Sequence, residues 1–351
     1  MSLYELVKPL LFMLSPERAH SLAIFAMKHG MMPSKSPVHS GSLSQGLWGL
    51  DFPNPVGLAA GFDKNAEVYQ AMLVQGFGFV ETGTVTPLAQ PGNEKPRIFR
   101  LTEDNAVINR LGFNNKGLDY YFSMLQSRNS ENGIVGANLG ANKLSEDPIN
   151  DYVIGLEKLL GFADYFTINI SSPNTPGLRA LQGREALDEL LTKLKLVRRE
   201  AILQKKPPLI LKIAPDLRSD ECEDIAEIIM KHEMDGLIVS NTTLSRDGIK
   251  SSKKNEAGGL SGEPLFELST KILSRMYSLT AGKVPLIGVG GVSSGADAYA
   301  KIRAGASLVQ LYSALVYYGP ELVRKINREL ELLLKKDGFS NITEAIGLDH
   351  K

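Results

Sequence analysis

Cysteine is almost absent from this chain of 351 residues: Cys222 stands alone, so no internal disulfide can form. It lies in Asp220-Glu221-Cys222-Glu223-Asp224, where the flanking carboxylates raise a thiol pKa and disfavour the thiolate that a nucleophile or zinc ligand needs. Histidine is sparse as well. The five residues at 20, 29, 39, 232 and 350 form no His-x-x-x-His pair, so no metal centre is expected. Neither sign of charge is in excess: Lys+Arg and Asp+Glu each number 39. A grip on nucleic acid needs a basic surplus and is not expected. No apolar run reaches the roughly 18 residues that span a bilayer. The longest near the start, Pro9 to Leu14, is broken by Ser15-Pro16-Glu17-Arg18. A secretory signal reads poorly, for want of a basic n-region and a small-residue cleavage site.

What is present is an ordinary globular mix, 43% apolar and 22% charged, with ample material for a core. Leu3, Leu6, Val7, Leu10, Leu11 and Leu14 recur at helical spacing. After Ser15-Pro16, so do Ala19, Leu22, Ala23, Ala26 and Met27. Phe12, Met13, Ile24 and Phe25 widen the apolar surface. Residues 1–44 therefore read as a helical hairpin followed by a linker, Gly30 to Ser44. The hairpin either packs on the main body or dips its outer face into lipid.

From about residue 50, short apolar runs alternate with longer amphipathic ones. The runs read as strands are Pro55–Ala60, Phe77–Thr84, Ile134–Leu139, Tyr165–Ile170, Leu209–Ile213, Gly236–Ser240, Leu286–Val289 and Leu308–Tyr312. Helical patterns follow them: Ala66–Gln75, Lys116–Gln126, Ile149–Leu160, Arg184–Gln204, Ser219–Lys231, Leu265–Leu279, Ala296–Ala304 and Pro320–Leu334. Such alternation gives parallel βαβ units. Eight repeats close into an α/β (β/α)8 TIM barrel of roughly 250 residues, here 45–339, with a short tail at 340–351. A doubly wound open sheet is the competitor; it often shows an early Gly-rich fingerprint, and the spacing after Gly57-Leu58-Ala59-Ala60-Gly61 does not match one.

Barrel chemistry belongs at the C-terminal ends of strands, and here amides, hydroxyls and glycines crowd those ends. One asparagine or glycine alone would be turn chemistry; so many argue for a converging polar pocket. Gly288-Val289-Gly290-Gly291, followed by Ser293, Ser294 and a helix, offers bare N–H groups to an anion. Lys212 sits inside the apolar run Leu209-Ile210-Leu211-Lys212-Ile213-Ala214. A cation there would stabilise negative charge on a reduced flavin ring. With no dinucleotide fingerprint, FMN fits better than NAD or FAD.

Longer motifs extend the pattern: Asn54-Pro55-Val56-Gly57-Leu58-Ala59-Ala60-Gly61-Phe62-Asp63-Lys64, Pro96-Arg97-Ile98-Phe99-Arg100-Leu101, Asn109-Arg110-Leu111-Gly112-Phe113-Asn114-Asn115, Asn169-Ile170-Ser171-Ser172-Pro173-Asn174-Thr175-Pro176-Gly177-Leu178-Arg179, Ser240-Asn241-Thr242-Thr243 and Gly258-Gly259-Leu260-Ser261-Gly262. In these, over essentially its whole length, the chain resembles the class 2 dihydroorotate dehydrogenases, the quinone-dependent, FMN-containing enzymes of pyrimidine synthesis. The resemblance implies a barrel that oxidises dihydroorotate to orotate, passing a hydride to flavin N5 and the electrons on to a membrane quinone.

It also implies roles. Ser172 would be the base that takes the C5 proton, where the soluble class uses cysteine. A serine hydroxyl needs a route to lose its own proton, and Thr175 would hand it through water to solvent with Phe113 shielding the relay. Taken alone, Ser172 reads as a loop serine before Pro173. Asn109, Asn169, Asn174 and Asn241 would match the ureide edge of the substrate, each amide carrying a donor and an acceptor. Lys64, Arg110, Leu111, Gly112, Phe113 and Thr242 would complete the substrate site. The segment Ser171 to Gly183 reads as a lid or an ordinary surface loop. FMN, one per chain, would touch Ala59, Ala60, Gly61, Lys64, Thr84, Asn138, Asn169, Lys212, Ser240, Gly262, Gly290, Gly291, Tyr312 and Ser313. Ser240 stands where threonine is also common, which keeps the hydroxyl. His20, Arg100 and Tyr312 would line a quinone tunnel whose mouth is the hairpin; alone, His20 reads as a cap or surface histidine and Arg100 as an ion-pair partner.

Lipid contact through the hairpin and a peripheral place on the cytoplasmic face of a bacterial inner membrane follow as expectations. The alternatives are a soluble, fumarate- or NAD-coupled relative and a non-catalytic barrel that binds a phosphorylated ligand.

Overall fold

A computed structural model of the chain describes residues 3–32 and 40–351; part of the expected linker, residues 33–39, lies outside them. Eight parallel strands close into a barrel: Val56–Leu58, Phe79–Val85, Ile134–Leu139, Tyr165–Asn169, Leu209–Ile213, Gly236–Val239, Leu286–Val289 and Ala306–Leu311. The last pairs with the first through Val309 and Val56, Gln310 and Gly57, and Leu311 and Leu58. Each strand is a short, largely apolar run buried on both faces, as helices covering a parallel sheet require.

The strand readings agree with these within about two residues. The first helix begins later than its pattern suggests, at Tyr69 instead of Ala66. The Asp63 carboxylate accepts the N–H groups of Glu67 and Val68, each at 2.7 Å, and holds that stretch as a turn. The fourth helix ends at Glu200 instead of Gln204, because Ala201 turns extended. Cys222 is buried on helix Ser219–Lys231, and its thiol is pushed up by burial first, with the acidic neighbours adding a smaller part.

Two sheets escaped the periodicity. Gln45–Leu47 and Leu50–Phe52 form an antiparallel hairpin inside the expected barrel span. Its Phe52 stacks edge-on against Phe79 with ring centroids 5.3 Å apart. Together with Tyr165, Ile210, Ile238, Ile287 and Leu308 these rings form a separate apolar cluster that fills one end of the barrel. Ile98–Leu101, Ala106–Asn109 and Gly259–Gly262 form a three-stranded antiparallel sheet. That sheet joins two loops far apart in sequence, and Gly258 makes the joint possible: a Cβ there would lie 2.2 Å from the Asn109 carbonyl oxygen.

The N-terminal helices are α1, Leu3–Met13, and α2, Pro16–Lys28. Ile24 and Met27 pack against the main core, while Leu6, Leu10, Met13 and Phe25 stay exposed, Met13 at 83%. Among the described residues no helix is long and apolar enough to cross a membrane. The 340–351 segment packs on the body through buried Ile342 and Ala345.

Candidate active site

One cavity of about 700 Å³ is lined by the hairpin, the barrel strand ends and the loops beyond them. The hairpin contributes Leu10, Leu11, Ala19, His20 and Ala23. The strand ends contribute Ala59, Ala60, Gly61, Thr84, Asn169, Lys212, Ser240, Gly290, Gly291, Tyr312 and Ser313. The loops contribute Lys64, Leu111, Gly112, Phe113, Ser172, Asn174, Asn241 and Thr242, and Arg100, Asn109 and Gly262 join from the antiparallel sheet. Three expected residues stand apart. Arg110 points its guanidinium at Glu256, 2.7 Å away, and covers the Phe99 ring. Asn138 is buried behind the lining, and Thr175 is buried outside it.

The four asparagines sort into two pairs. Asn174 Nδ2 donates to Asn109 Oδ1 at 3.3 Å, and Asn241 Nδ2 donates to Asn169 Oδ1 at 3.3 Å. Strand register explains the second pair's support: Asn169 sits beside Lys212 in the ladder, and its own Nδ2 donates to Thr84 Oγ1 and Asn138 Oδ1, each at 3.1 Å. Ser172 is buried, and its hydroxyl oxygen accepts the Asn174 backbone N–H at 3.2 Å. The segment Ser171 to Gly183 carries one helical turn, Leu178–Gln182. Arg179 pins it, pairing with Asp216 at 2.9 Å and donating to the Ser171 and Thr242 carbonyls.

Gly290 and Gly291 have φ of 111° and 76°, a conformation that costs a side-chain-bearing residue. A Cβ on Gly291 would lie 2.5 Å from the Phe266 Cβ, so bare backbone is required against that helix start. Ser294 caps the next helix, accepting the Asp297 N–H at 3.1 Å. The hydroxyl of Ser313 donates to Ser261 Oγ at 2.7 Å. Among the described residues the buried Thr175 Oγ1, Thr242 Oγ1 and Gln310 Oε1 make no hydrogen bond. Two of these belong to residues lining the cavity, and polar atoms left so fit a bound polar ring. The glycine cradle fits a phosphate.

Burial depresses the Lys64 ammonium to about 8; Glu17 and Asp63 pull it back up and Arg97 pushes it down. Burial likewise lowers Lys212, against the pull of Glu81 at 3.9 Å. Sequence reasoning did not single out Glu81. The available signal was a carboxylate within the otherwise uncharged strand Phe79–Val85.

His20 is held near 3 by burial and by the Lys64 charge, so its imidazole is neutral. Its ring lies edge-on to Phe62 at 5.3 Å and 6.4 Å from Tyr312. Arg100 donates to the carbonyls of Phe12 at 3.3 Å and Leu14 at 3.0 Å and lies over the Phe12 ring. A cation at the end of α1 satisfies orphan carbonyls and opposes the helix dipole.

Comparison with known proteins bears on this arrangement. Residues 42–334 match the family model described as dihydroorotate dehydrogenase. A relative from Parvibaculum lavamentivorans, named dihydroorotate dehydrogenase (quinone), is 53% identical over 350 residues, 99% of each chain. A mitochondrial relative of the same name from Oryza sativa subsp. japonica is 50% identical over 375 residues, covering 99% of this chain and 80% of the other. Among solved structures, a dihydroorotate dehydrogenase of Eimeria tenella in complex with ferulenol superposes with a TM-score of 0.92 at 43% identity, covering 96% of both chains.

Proposed function

The chain belongs to the dihydroorotate dehydrogenase family, and we propose on that premise that it is the quinone-dependent enzyme, oxidising (S)-dihydroorotate to orotate in de novo UMP synthesis. The observation that carries this reading is the continuity of one cavity from Ser172 and the asparagine pairs to the hairpin. Two substrates of unlike polarity can share it, one polar and ring-shaped, one apolar.

The family is flavin-dependent, and FMN, one per chain, is the flavin whose single phosphate matches a single cradle at Gly290 and Gly291. Ala59, Ala60, Gly61, Thr84, Asn169, Lys212, Ser240, Gly262, Tyr312 and Ser313 would hold it, with Asn138 steadying Thr84 and Asn169 from behind. When bound, it supplies a ring that takes a hydride and releases electrons one partner later. The chain's own residues do the rest. As Ser172 Oγ takes the C5 proton it gives up its own hydroxyl proton, which Thr175 and water carry to solvent behind Phe113. The Asn109–Asn174 and Asn169–Asn241 pairs present donors and acceptors to the ureide edge. Lys64 holds the carboxylate, with Leu111, Gly112 and Thr242 closing the site. Arg110 supports this only indirectly, since its backbone carbonyl accepts from Asn93, which also donates to the Asn174 carbonyl at 3.2 Å.

His20, Arg100 and Tyr312 form the polar positions of the quinone path, and the exposed leucines, Met13 and Phe25 of the hairpin meet lipid. A peripheral position on the cytoplasmic face of a bacterial inner membrane is part of this reading.

The test is anaerobic. Purified protein should be yellow, bleach on adding dihydroorotate, and recolour on adding a soluble quinone in detergent. A colourless preparation overturns the flavin, a yellow one that dihydroorotate leaves unbleached overturns the substrate, and recolouring by fumarate or NAD in place of quinone overturns the acceptor.

A further inference from the structure

Glu81 is fully buried inside the barrel, and nothing in the reaction so far uses its charge. Asn138 Nδ2 donates to its Oε1 at 2.7 Å. Gln310 Nε2 at 2.9 Å, Thr167 Oγ1 at 3.0 Å and the Tyr165 hydroxyl at 3.3 Å donate to its Oε2. An amide could accept at only one of those two positions, its NH2 facing a donor at the other, whereas a carboxylate accepts at both. A carboxylate also opposes the ammonium of Lys212, 3.9 Å from Oε1. Both Lys212 and Gln310 line the cavity. Through Asn138 the carboxylate is also joined to Thr84, whose hydroxyl donates to Asn138 Oδ1 at 2.6 Å, and to Asn169.

The electrostatics follow. Reduction adds negative charge to a flavin ring, and an uncompensated buried ammonium beside it would favour the reduced form strongly, because water does not screen it. A ring held too firmly reduced is a poor donor to a quinone. A carboxylate within ion-pair distance offsets the ammonium and restores the balance.

We propose that Glu81 is a positioning residue that sets the reduction potential of the bound flavin by offsetting Lys212 and by holding Thr84, Asn138 and Asn169 in one hydrogen-bonded unit. The proposal rests on the flavin reading above and deepens it.

The experiment is a dye-referenced reductive titration of the flavin-loaded full-length protein. Glu81→Gln should raise the two-electron midpoint potential by at least the equivalent of a tenfold change in the equilibrium constant, about 30 mV, and slow reoxidation by a soluble quinone. Thr167→Val removes one hydrogen bond to the same carboxylate and keeps its charge, so its potential should stay near that of the wild type. Equal shifts in both variants, or none in Glu81→Gln, overturn the proposal. If Glu81→Gln yields no folded holoprotein, Lys212→Met is compared with Lys212→Met/Glu81→Gln. The single variant, left with a lone carboxylate, should have the lower potential; equal potentials overturn the proposal. A wild-type protein that binds no flavin removes the functional reading itself, whereas flavin-bound variants of equal potential remove only the role of Glu81.

Discussion

Glu17 on α2 closes a 2.7 Å ion pair with Arg97, whose side chain is only 5% exposed. Arg97 also donates to the carbonyls of Pro91 at 2.6 Å and Asn93 at 2.8 Å, and the Asn93 side chain donates to the Asn174 carbonyl at 3.2 Å. The hairpin proposed for the quinone end is thus tied, through Arg97 and Asn93, to the loop proposed for the substrate end. Lys28 makes a second tie, pairing with Glu67 at 2.8 Å.

Breaking the first tie should separate the two half-reactions. Glu17→Gln leaves Arg97 without its anion and should weaken quinone reduction several-fold, while anaerobic flavin reduction by dihydroorotate changes less. Replacing residues 1–32 should exaggerate the same split. Stopped-flow measurement of each half-reaction decides it, and equal loss in both would sink the hairpin's assignment. Acid should act similarly. Burial pushes the Glu17 carboxyl up, but Arg97 and Lys95 outweigh it and hold it below its ordinary value. Its stabilisation is therefore present at neutral pH and is lost as pH falls below roughly 4.

Ser172→Ala should slow flavin reduction by about 10²- to 10⁴-fold, the usual worth of a general base, with dihydroorotate affinity within a few-fold of wild type. Thr175→Val should slow the same step by a smaller factor, since it removes a hydroxyl without other partners among the described residues. Single-turnover reduction checks both, and an unchanged rate in Thr175→Val refutes the relay.

The pH dependence of substrate binding follows from Lys64. Its ammonium titrates at about 8 in the free protein, so it is charged below that pH and neutral above it. Affinity for the dihydroorotate carboxylate should fall as pH rises through 8. Lys64→Met should flatten that limb and weaken binding about tenfold or more, as loss of a charged hydrogen bond does. A KM–pH profile of the two proteins would show it; identical limbs would contradict the assignment.

Gly291→Ala should cost about 1–3 kcal/mol through overpacking, because the new Cβ meets Phe266 at 2.5 Å. Flavin retention, read from the visible absorbance after gel filtration, should fall with it. Thermal unfolding measures the first effect, and a variant that keeps its flavin would argue against the cradle.

The eight strands and the hairpin were legible because burial on both faces writes a short apolar run into the chain, and a helix on a surface writes a 3.6-residue period. The residues at strand ends were legible because barrel geometry says where polar groups gather. Periodicity was silent on the Ile98–Leu101 and Ala106–Asn109 hairpin, whose strands of four residues are too short to write a period, and on Gly259–Gly262, which pairs with Ala106–Asn109 only across a long stretch of chain. It was equally silent on the barrel plug at Phe52, against which Trp48 packs edge-on.

Hydrophobic periodicity by itself therefore determined the barrel and the helical hairpin, and the motifs pointed to polar strand ends and a run of bare glycines. Tertiary structure alone decided that Arg110 turns away to Glu256, that the asparagines work in pairs, and that Glu81 faces Lys212 inside the barrel. The reason is that local propensity and periodicity act between near neighbours in the chain, whereas hydrogen bonds and ion pairs act between near neighbours in space. Only closure of the barrel makes Glu81, Asn138, Thr167, Lys212 and Gln310 neighbours of that second kind.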